Sequence, residues 1–381
     1  MAITWKWMDA LWIGAVVLQA ASHAADDIAS RSLLPVYIGT YTSGASEGIY
    51  LLRLHTVEGR LDSIGLVARI ENPSFLAPHP TRPLLYAVGE TGDGGTVSAF
   101  AIDRDSGRLE LLNRESSVGA GPCHVVVDRA GRHAIVANYG GGSVAVLPID
   151  AQGRLGPACA FIQHEGSSVH PQRQQGPHAH SVTLDAAGRF VFAADLGLDK
   201  IMVYRYDDAR GTIESNDPPF AAIAPGAGPR HFAFHPTGRF AYVVNELDNT
   251  VTAFAYDAAS GRLDTLHSVT TLPDDFKDAN TTAEIRVHPS GRLVYCSNRG
   301  HDSIAAFAVD LETGRLAPLG RTATQGRTPR NFNIDPSGRF LIAANQATDT
   351  VVIFRIDPDT GGLSLAGTPV SVPTPVCVAF P

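Results

Sequence analysis

Charge is scarce in this chain. Asp, Glu, Lys and Arg make up 18% of its 381 residues, against about 25% in an average soluble protein. What charge there is leans acidic, with 38 Asp and Glu against 30 Lys and Arg and a net charge of −8. That balance argues against whole-surface attraction to nucleic acid or to an anionic membrane. Cysteine is scarcer still: Cys123, Cys159, Cys296 and Cys377 are the four in the chain, no two are close, and no CxxC occurs. A disulfide framework, a zinc site or a CxxCH haem attachment is therefore not indicated. HExxH is missing as well, and no metal or other cofactor is expected. After residue 30 no segment carries a convincing 3.6-residue amphipathic period, which argues against a helical architecture.

Long hydrophobic runs are also lacking. The apolar stretch Leu11 to Gln19 is too short to span a bilayer. It follows Lys6, the only basic residue of the first 24, and leads to Ser22 and Ala24, small residues at the −3 and −1 positions of a cleavage site before Ala25. The pattern is that of a secretory signal peptide over residues 1–24. An uncleaved anchor or a misassigned start is the alternative. The expectation is export to the periplasm, with a cytoplasmic protein as the alternative, and no stable membrane association once the signal is removed.

What the chain does have is turn-formers and apolar material. Gly contributes 37 residues, Pro 25, and the hydrophobic set 44%, enough for a sizeable core and too much for disorder. These residues are arranged in a repeat. HPTGRFAYVVNELDNTVTAF, from His235, has counterparts starting at Asp128, Asp185, His288 and Asp335, and a weaker one at His79. Each unit reads as four short strands punctuated by a D/H-P-x-G-R turn, an Asn/Asp/Gly-rich turn and a Gly-Arg-Leu turn. The last turn recurs at Gly59, Gly107, Gly153, Gly211, Gly261, Gly314 and Gly361. That gives seven units of about 51 residues, the signature of propeller blades. The first unit, from Pro35, lacks a leading strand, and the C-terminal run Pro375 to Phe380 matches one. The expected fold is all-β: one seven-bladed β-propeller over 35–381, four antiparallel strands per blade. The C-terminal strand completes the N-terminal blade and closes the ring, and residues 25–34 form a linker.

In such a ring the first strand of each blade lines the central channel. One aligned column of these strands reads Ser74, Cys123, His180, Arg230, Ala283, Arg330 and Val376; the next reads Phe75, His124, Ser181, His231, Glu284, Asn331 and Cys377. Strict alternation points the first column to the channel and the second into the blades, where His124, His231 and Glu284 would bond between blades. The second strands end on Gly89, Asn138, Asp195, Asn245, Asn298 and Asn345, followed by Glu90, Tyr139, Leu196, Glu246, Arg299 and Gln346. At these mouth positions the repeat stops agreeing with itself, and packing does not demand the difference. Arg132, Arg189, Arg239, Arg292 and Arg339 recur in the turn and belong to structure. The segment 163–178 is the longest interruption, a lid over the mouth or an insertion.

The stretches 226–251, 283–299 and 329–346 resemble the bacterial β-propeller 6-phosphogluconolactonase family, and the resemblance covers nearly all of 35–381. It is similar too to the fungal carboxymuconate-cyclising enzymes, with a His, an Arg, a Glu and a further Arg at the mouth. Those fall here on His180, Arg230, Glu246 and Arg299. The resemblance implies hydrolysis of a sugar lactone, glucono-1,5-lactone or 6-phosphogluconolactone, to the open acid. An export signal favours the unphosphorylated lactone. The alternatives are carboxymuconate chemistry or a non-enzymatic scaffold.

Lactone hydrolysis needs an activated water and a stabilised oxyanion. Glu246 is the first candidate for the base and His180 the second, and Arg230 is expected to stabilise the oxyanion. Arg299, Arg330, His178, Asn138 and Asp195 are expected to bind substrate. The structural alternatives are a surface carboxylate at Glu246, a polar lining at the histidines, and salt bridges of the arginines to Glu246 or Glu284. The expected partner is a small-molecule lactone, with the oligomeric state open between monomer and dimer.

Overall fold

The computed structural model describes residues 33–92 and 94–381; the signal-peptide and linker readings lie outside them up to residue 32, and Leu33 and Leu34, read as linker, instead begin the strand Leu33–Thr40 by pairing with His55 and Leu54. The second strand of most repeats, such as Phe240–Asn245 or Phe340–Asn345, is buried along its whole length. It reads as an unbroken apolar run because neighbouring blades cover both its faces. The fourth strand is different. Arg262–Thr270 is mostly exposed or half-buried, with Leu263 its one buried residue, as an outer edge facing water requires.

These strands form seven antiparallel sheets, each running from an inner to an outer strand in chain order. Blade 1 is the exception that closes the ring. Its inner strand is Pro375–Ala379, paired antiparallel with Leu33–Thr40 so that Ile38 faces Val378 and Gly39 faces Cys377. The expected propeller and its closure are both present. The outer edge of blade 7 is split, with Leu363–Leu365 and Val370–Ser371 both pairing with Thr350–Ile356.

The core is a ring of interfaces between blades. Phe190, Phe192, Phe232, Val243, Phe254 and Tyr256 pack blade 4 onto blade 5. Val36, Ile38, Leu52, Phe340, Ile342 and Val378 do the same across the closure. Each fully buried Phe or Ile contributes about 1.5–3 kcal/mol relative to exposure.

Hydrogen bonds also tie adjacent blades together. Tyr37 Oη donates to the Gly107 carbonyl (2.8 Å), Tyr242 Oη to Gly314 (3.1 Å) and Tyr295 Oη to Gly361 (2.9 Å), in each case from one blade to the next. His235 and His288 of the D/H-P turns reach the following blade's turn carbonyls at Gly291 and Gly338, both at 2.8 Å. The repeated turns are thus the inter-blade fasteners as well as the chain reversals.

Gly261 shows why the Gly-Arg-Leu turn keeps its glycine. Its φ is +76°, and a Cβ there would lie 2.7 Å from Phe190 Cδ1 of the preceding blade. Gly261→Ala is expected to cost about 2 kcal/mol or more, from the left-handed backbone and the displaced ring. Chemical denaturation reads this directly; unchanged stability would contradict the fastening role. Removing residues 375–381 is expected to abolish the cooperative transition, because blades 1 and 7 lose the strand that joins them.

Candidate active site

Most of the inner strands that build the channel share a defect. Their pairing slips between Pro122 and His124, Ala179 and Ser181, Pro229 and His231, Thr282 and Ile285, and Pro329 and Asn331. At each place an extra residue is freed from the ladder: Cys123, His180, Arg230, the Ala283–Glu284 pair and Arg330. A bulge re-aims side chains that strict alternation would separate. His124, His231 and Glu284 therefore reach the channel, which corrects the expectation that they face the blade interior, while their expected contacts between blades are present: the Val182 amide donates to His124 Nδ1, and Glu284 meets His231 and Asn331 of the blades on either side. His124 and His231, from blades that are not neighbours, meet edge to face with ring centroids 5.3 Å apart.

These rings and Phe75 form a waist. Above it lies a residual cavity of about 10 Å³ lined by Tyr41, Ser74, Phe75, Glu90, Cys123, His180, Arg230, His231, Arg330, Asn331 and Val376. Below it lies a wider cavity of about 480 Å³ with His124, Glu284, Arg286 and Asn333 in its wall, and again Phe75 and His231.

Glu246, at the end of a second strand, is the hub of the mouth. Arg173 Nη2 lies 2.6 Å from its Oε1, and Arg230 Nε and Arg299 Nη2 each lie 2.9 Å from its Oε2. Arg230 also donates to the Ala283 carbonyl and Arg299 to that of Thr282. Burial alone would raise the Glu246 carboxyl, but Arg299 and Arg230 outweigh it and hold the group well below the usual carboxylate range. A carboxylate so committed is suited to aligning guanidiniums and poorly suited to taking a proton. The salt-bridge alternative is thus present, and the bridged arginines still stand at the channel mouth.

Across the mouth, Arg330 Nη2 donates to Tyr41 Oη, which donates to Glu90 Oε2, both at 2.9 Å. Arg173, Arg230, Arg299 and Arg330 face Glu90 and Glu246, so the rim carries excess positive charge.

His180 is buried with its Nδ1 3.7 Å from Cys123 Sγ. Burial first, then Arg230, pushes its proton affinity well below the ordinary imidazole range. Burial likewise pushes the Cys123 thiol up, so Cys123 is no thiolate nucleophile. His178, half-buried, stacks on Tyr139 at 4.6 Å and donates from Nδ1 to the Tyr139 carbonyl at 3.0 Å.

The structure brings His180, Arg230, Glu246, Arg299 and Arg330 to one mouth, but not Asn138 and Asp195. Asn138 is fully buried and its amide donates to the Ser117 carbonyl and Ser143 Oγ, both at 3.1 Å. Asn345 does the same with Thr324 in blade 7. Asp195 accepts from the His178 and Gly197 amides and meets His164 Nδ1 at 2.6 Å. These side chains tie off strand ends, and none reaches either cavity.

Arg173 and Tyr41 of the rim were not expected, and Glu90 stood among the mouth positions without an assigned role. The one signal for Arg173 is its place in segment 163–178. Gln174 anchors that segment by donating to the Leu196 carbonyl (2.8 Å), and Ser168 by donating to Asp199 (2.6 Å), so Arg173 is held over Tyr139 and Glu246. Among the described residues no three or more His, Cys, Asp or Glu side chains are placed to hold a metal ion.

His124, His180 and His231 are all buried and neutral in the fold, with proton affinities pushed well below normal, by burial first. The unfolded chain protonates them below about pH 6.5. Stability is therefore full above that pH and falls below it, by up to about 1.4 kcal/mol per pH unit for each histidine. Glu246 adds a further loss below about pH 4.3, where the unfolded carboxyl protonates first. Calorimetry is expected to show a melting temperature level from pH 8 to 7 and falling from 6.5 to 5. A level profile throughout would contradict the buried, neutral histidines.

Comparison with known proteins bears on both fold and mouth. The family described as a 7-bladed beta-propeller lactonase matches residues 35–380. A 6-phosphogluconolactonase of Bacillus subtilis is 42% identical over 344 residues, which cover 90% of this chain and 97% of the relative. The solved periplasmic gluconolactonase of Pseudomonas aeruginosa is 36% identical, covers 92% of this chain and 99% of its own, and superposes with a TM-score of 0.87. A putative 6-phosphogluconolactonase of Bacteroides fragilis is 36% identical, covers 92% and 98%, and gives a TM-score of 0.86. On the match over nearly all of its described length, the chain belongs to the seven-bladed β-propeller lactonase family.

Proposed function

We propose that this protein hydrolyses an aldono-1,5-lactone to the open aldonic acid at the channel mouth, with glucono-1,5-lactone as its substrate in the periplasm. One observation carries the reading: Arg230, Arg299 and Arg330 stand at the mouth of a narrow channel, and two of them are fixed by a single buried carboxylate. Ester hydrolysis gathers negative charge first on the tetrahedral oxyanion and then on the product carboxylate. Guanidiniums already oriented in a partly dry site stabilise both without reorganising.

Glu246 in this scheme aligns Arg173, Arg230 and Arg299. The water is activated by a neutral imidazole of the channel, for which His180 is one candidate. Arg173 and His178 stand at the outer rim, where the hydroxyls of a polyhydroxy ring would meet them. The periplasmic relative supports the unphosphorylated lactone. The relative from Bacillus and the positive rim support the 6-phosphate as the second reading.

A proton-release assay on the purified protein tests this. Glucono-1,5-lactone is expected to turn over faster than its 6-phosphate, and Arg330→Gln to lower kcat/KM about 100-fold. Faster turnover of the phosphate would overturn the choice of substrate. Acceleration of neither lactone would overturn the reading and move the weight to carboxymuconate substrates or to a binding scaffold.

A further inference from the structure

Glu246, His180 and His231 all approach the mouth, and they differ in what holds them. Glu246 spends its oxygens on three guanidiniums. His180 has a thiol, Cys123, beside its Nδ1. His231 has a carboxylate: its Nδ1 lies 3.0 Å from Glu284 Oε1. A proton on Nδ1 would face that carboxylate and leave Nε2 with its lone pair.

Glu284 is itself fixed from three sides. The Ile285 amide donates to its Oε1 at 2.9 Å, Asn331 Nδ2 donates to Oε2, and Arg286 Nη2 lies 3.4 Å from Oε2. Asn331 is fixed in turn, accepting from the Val378 amide of blade 1 at 2.9 Å. The chain from carboxylate to imidazole is therefore set by blades 5, 6, 7 and 1 together.

His231 stands in the wall of the upper cavity, whose 10 Å³ is close to what one water molecule needs. Arg230 and Arg330 stand in the same wall. Base, water-sized space and oxyanion donors are thus gathered within one small pocket.

We infer that His231, oriented by Glu284, is the general base of the hydrolysis. The inference rests on the lactone reading above. His231 Nε2 takes a proton from the water as the water oxygen bonds to the lactone carbonyl carbon. The carbonyl electron pair moves to oxygen, opposite Arg230 and Arg330. As the oxyanion collapses, the bond from the carbonyl carbon to the ring oxygen breaks. The imidazolium returns its proton to that oxygen, which leaves as a hydroxyl. The products are the open hydroxy acid and a neutral imidazole ready for the next turnover. Glu284 acts through His231 and is a positioning residue.

The test measures kcat and KM of wild type, His231→Asn, His231→Ala, Glu284→Gln and His180→Gln on glucono-1,5-lactone. Circular dichroism and melting are followed in parallel. The Asn amide overlies imidazole Nδ1, so His231→Asn keeps a donor to Glu284 while removing the base. Its kcat is expected to fall 10²–10⁴-fold with KM within a few-fold of wild type. Added imidazole is expected to restore part of the turnover of His231→Ala, and Glu284→Gln to lower kcat with KM held. A folded His231→Asn with wild-type kcat, or loss of kcat confined to His180→Gln, would overturn the assignment while leaving the lactonase reading intact. If wild type accelerates neither lactone, both fall together. If the His231 variants do not fold, Glu284→Gln decides, because wild-type kcat there would sink the dyad.

Discussion

The Glu246 carboxylate is withdrawn from water and ion-paired to Arg173, Arg230 and Arg299, which come from three separate parts of the ring. Taking such charges out of water costs several kcal/mol per ion, recovered only when the pairing geometry is excellent and the remaining polar atoms are hydrogen-bonded. That geometry depends on blades 5 and 6 and on the segment 163–178 holding their places. The inter-blade apolar clusters and the turn fasteners supply the necessary rigidity, and the closing strand Pro375–Ala379 keeps the ring from opening. The mouth is thus a consequence of ring closure, and its charge pattern exists only in the closed form.

Most of the fold was legible because a blade must repeat what packing requires. The spacing of Gly-Arg-Leu turns counted the blades, and the unmatched leading strand identified where the chain closes on itself. The site was legible in part by the reverse argument. Arg230, Glu246 and Arg299 stood out because nothing in blade packing asks for different polar residues at equivalent positions. Asn138 and Asp195 belong to a column that does repeat, with Asn245, Asn298 and Asn345. That repetition is itself the mark of a structural task, and the amides of Asn138, Asn298 and Asn345 duly donate to the carbonyls of Ser117, Thr271 and Thr324.

Two features were hidden from the sequence for physical reasons. A β-bulge leaves no trace in hydrophobic alternation when the freed residue and its successor are both polar, as in Arg230–His231 and Arg330–Asn331. Their shared orientation reverses the reading of the second column and brings His231 and Glu284 into the channel. The reach of Arg173 is the other. Which blade an irregular segment leans over is set by its anchors, here Gln174 on Leu196 and Ser168 on Asp199, and local pattern does not encode such distant partners.

The charge economy of the whole chain gives the mouth its meaning. A protein of net charge −8 gathers four arginines around one narrow opening, against two carboxylates. The central claim is that this gathering serves a lactone and its carboxylate product. The measurement that meets it most directly is a crystal structure with gluconate bound. The account predicts gluconate at the mouth, its carboxylate within hydrogen-bonding distance of Arg230 and Arg330 and above His231. Gluconate seated in the wider lower cavity, or absent from the mouth at saturating concentration, would contradict it.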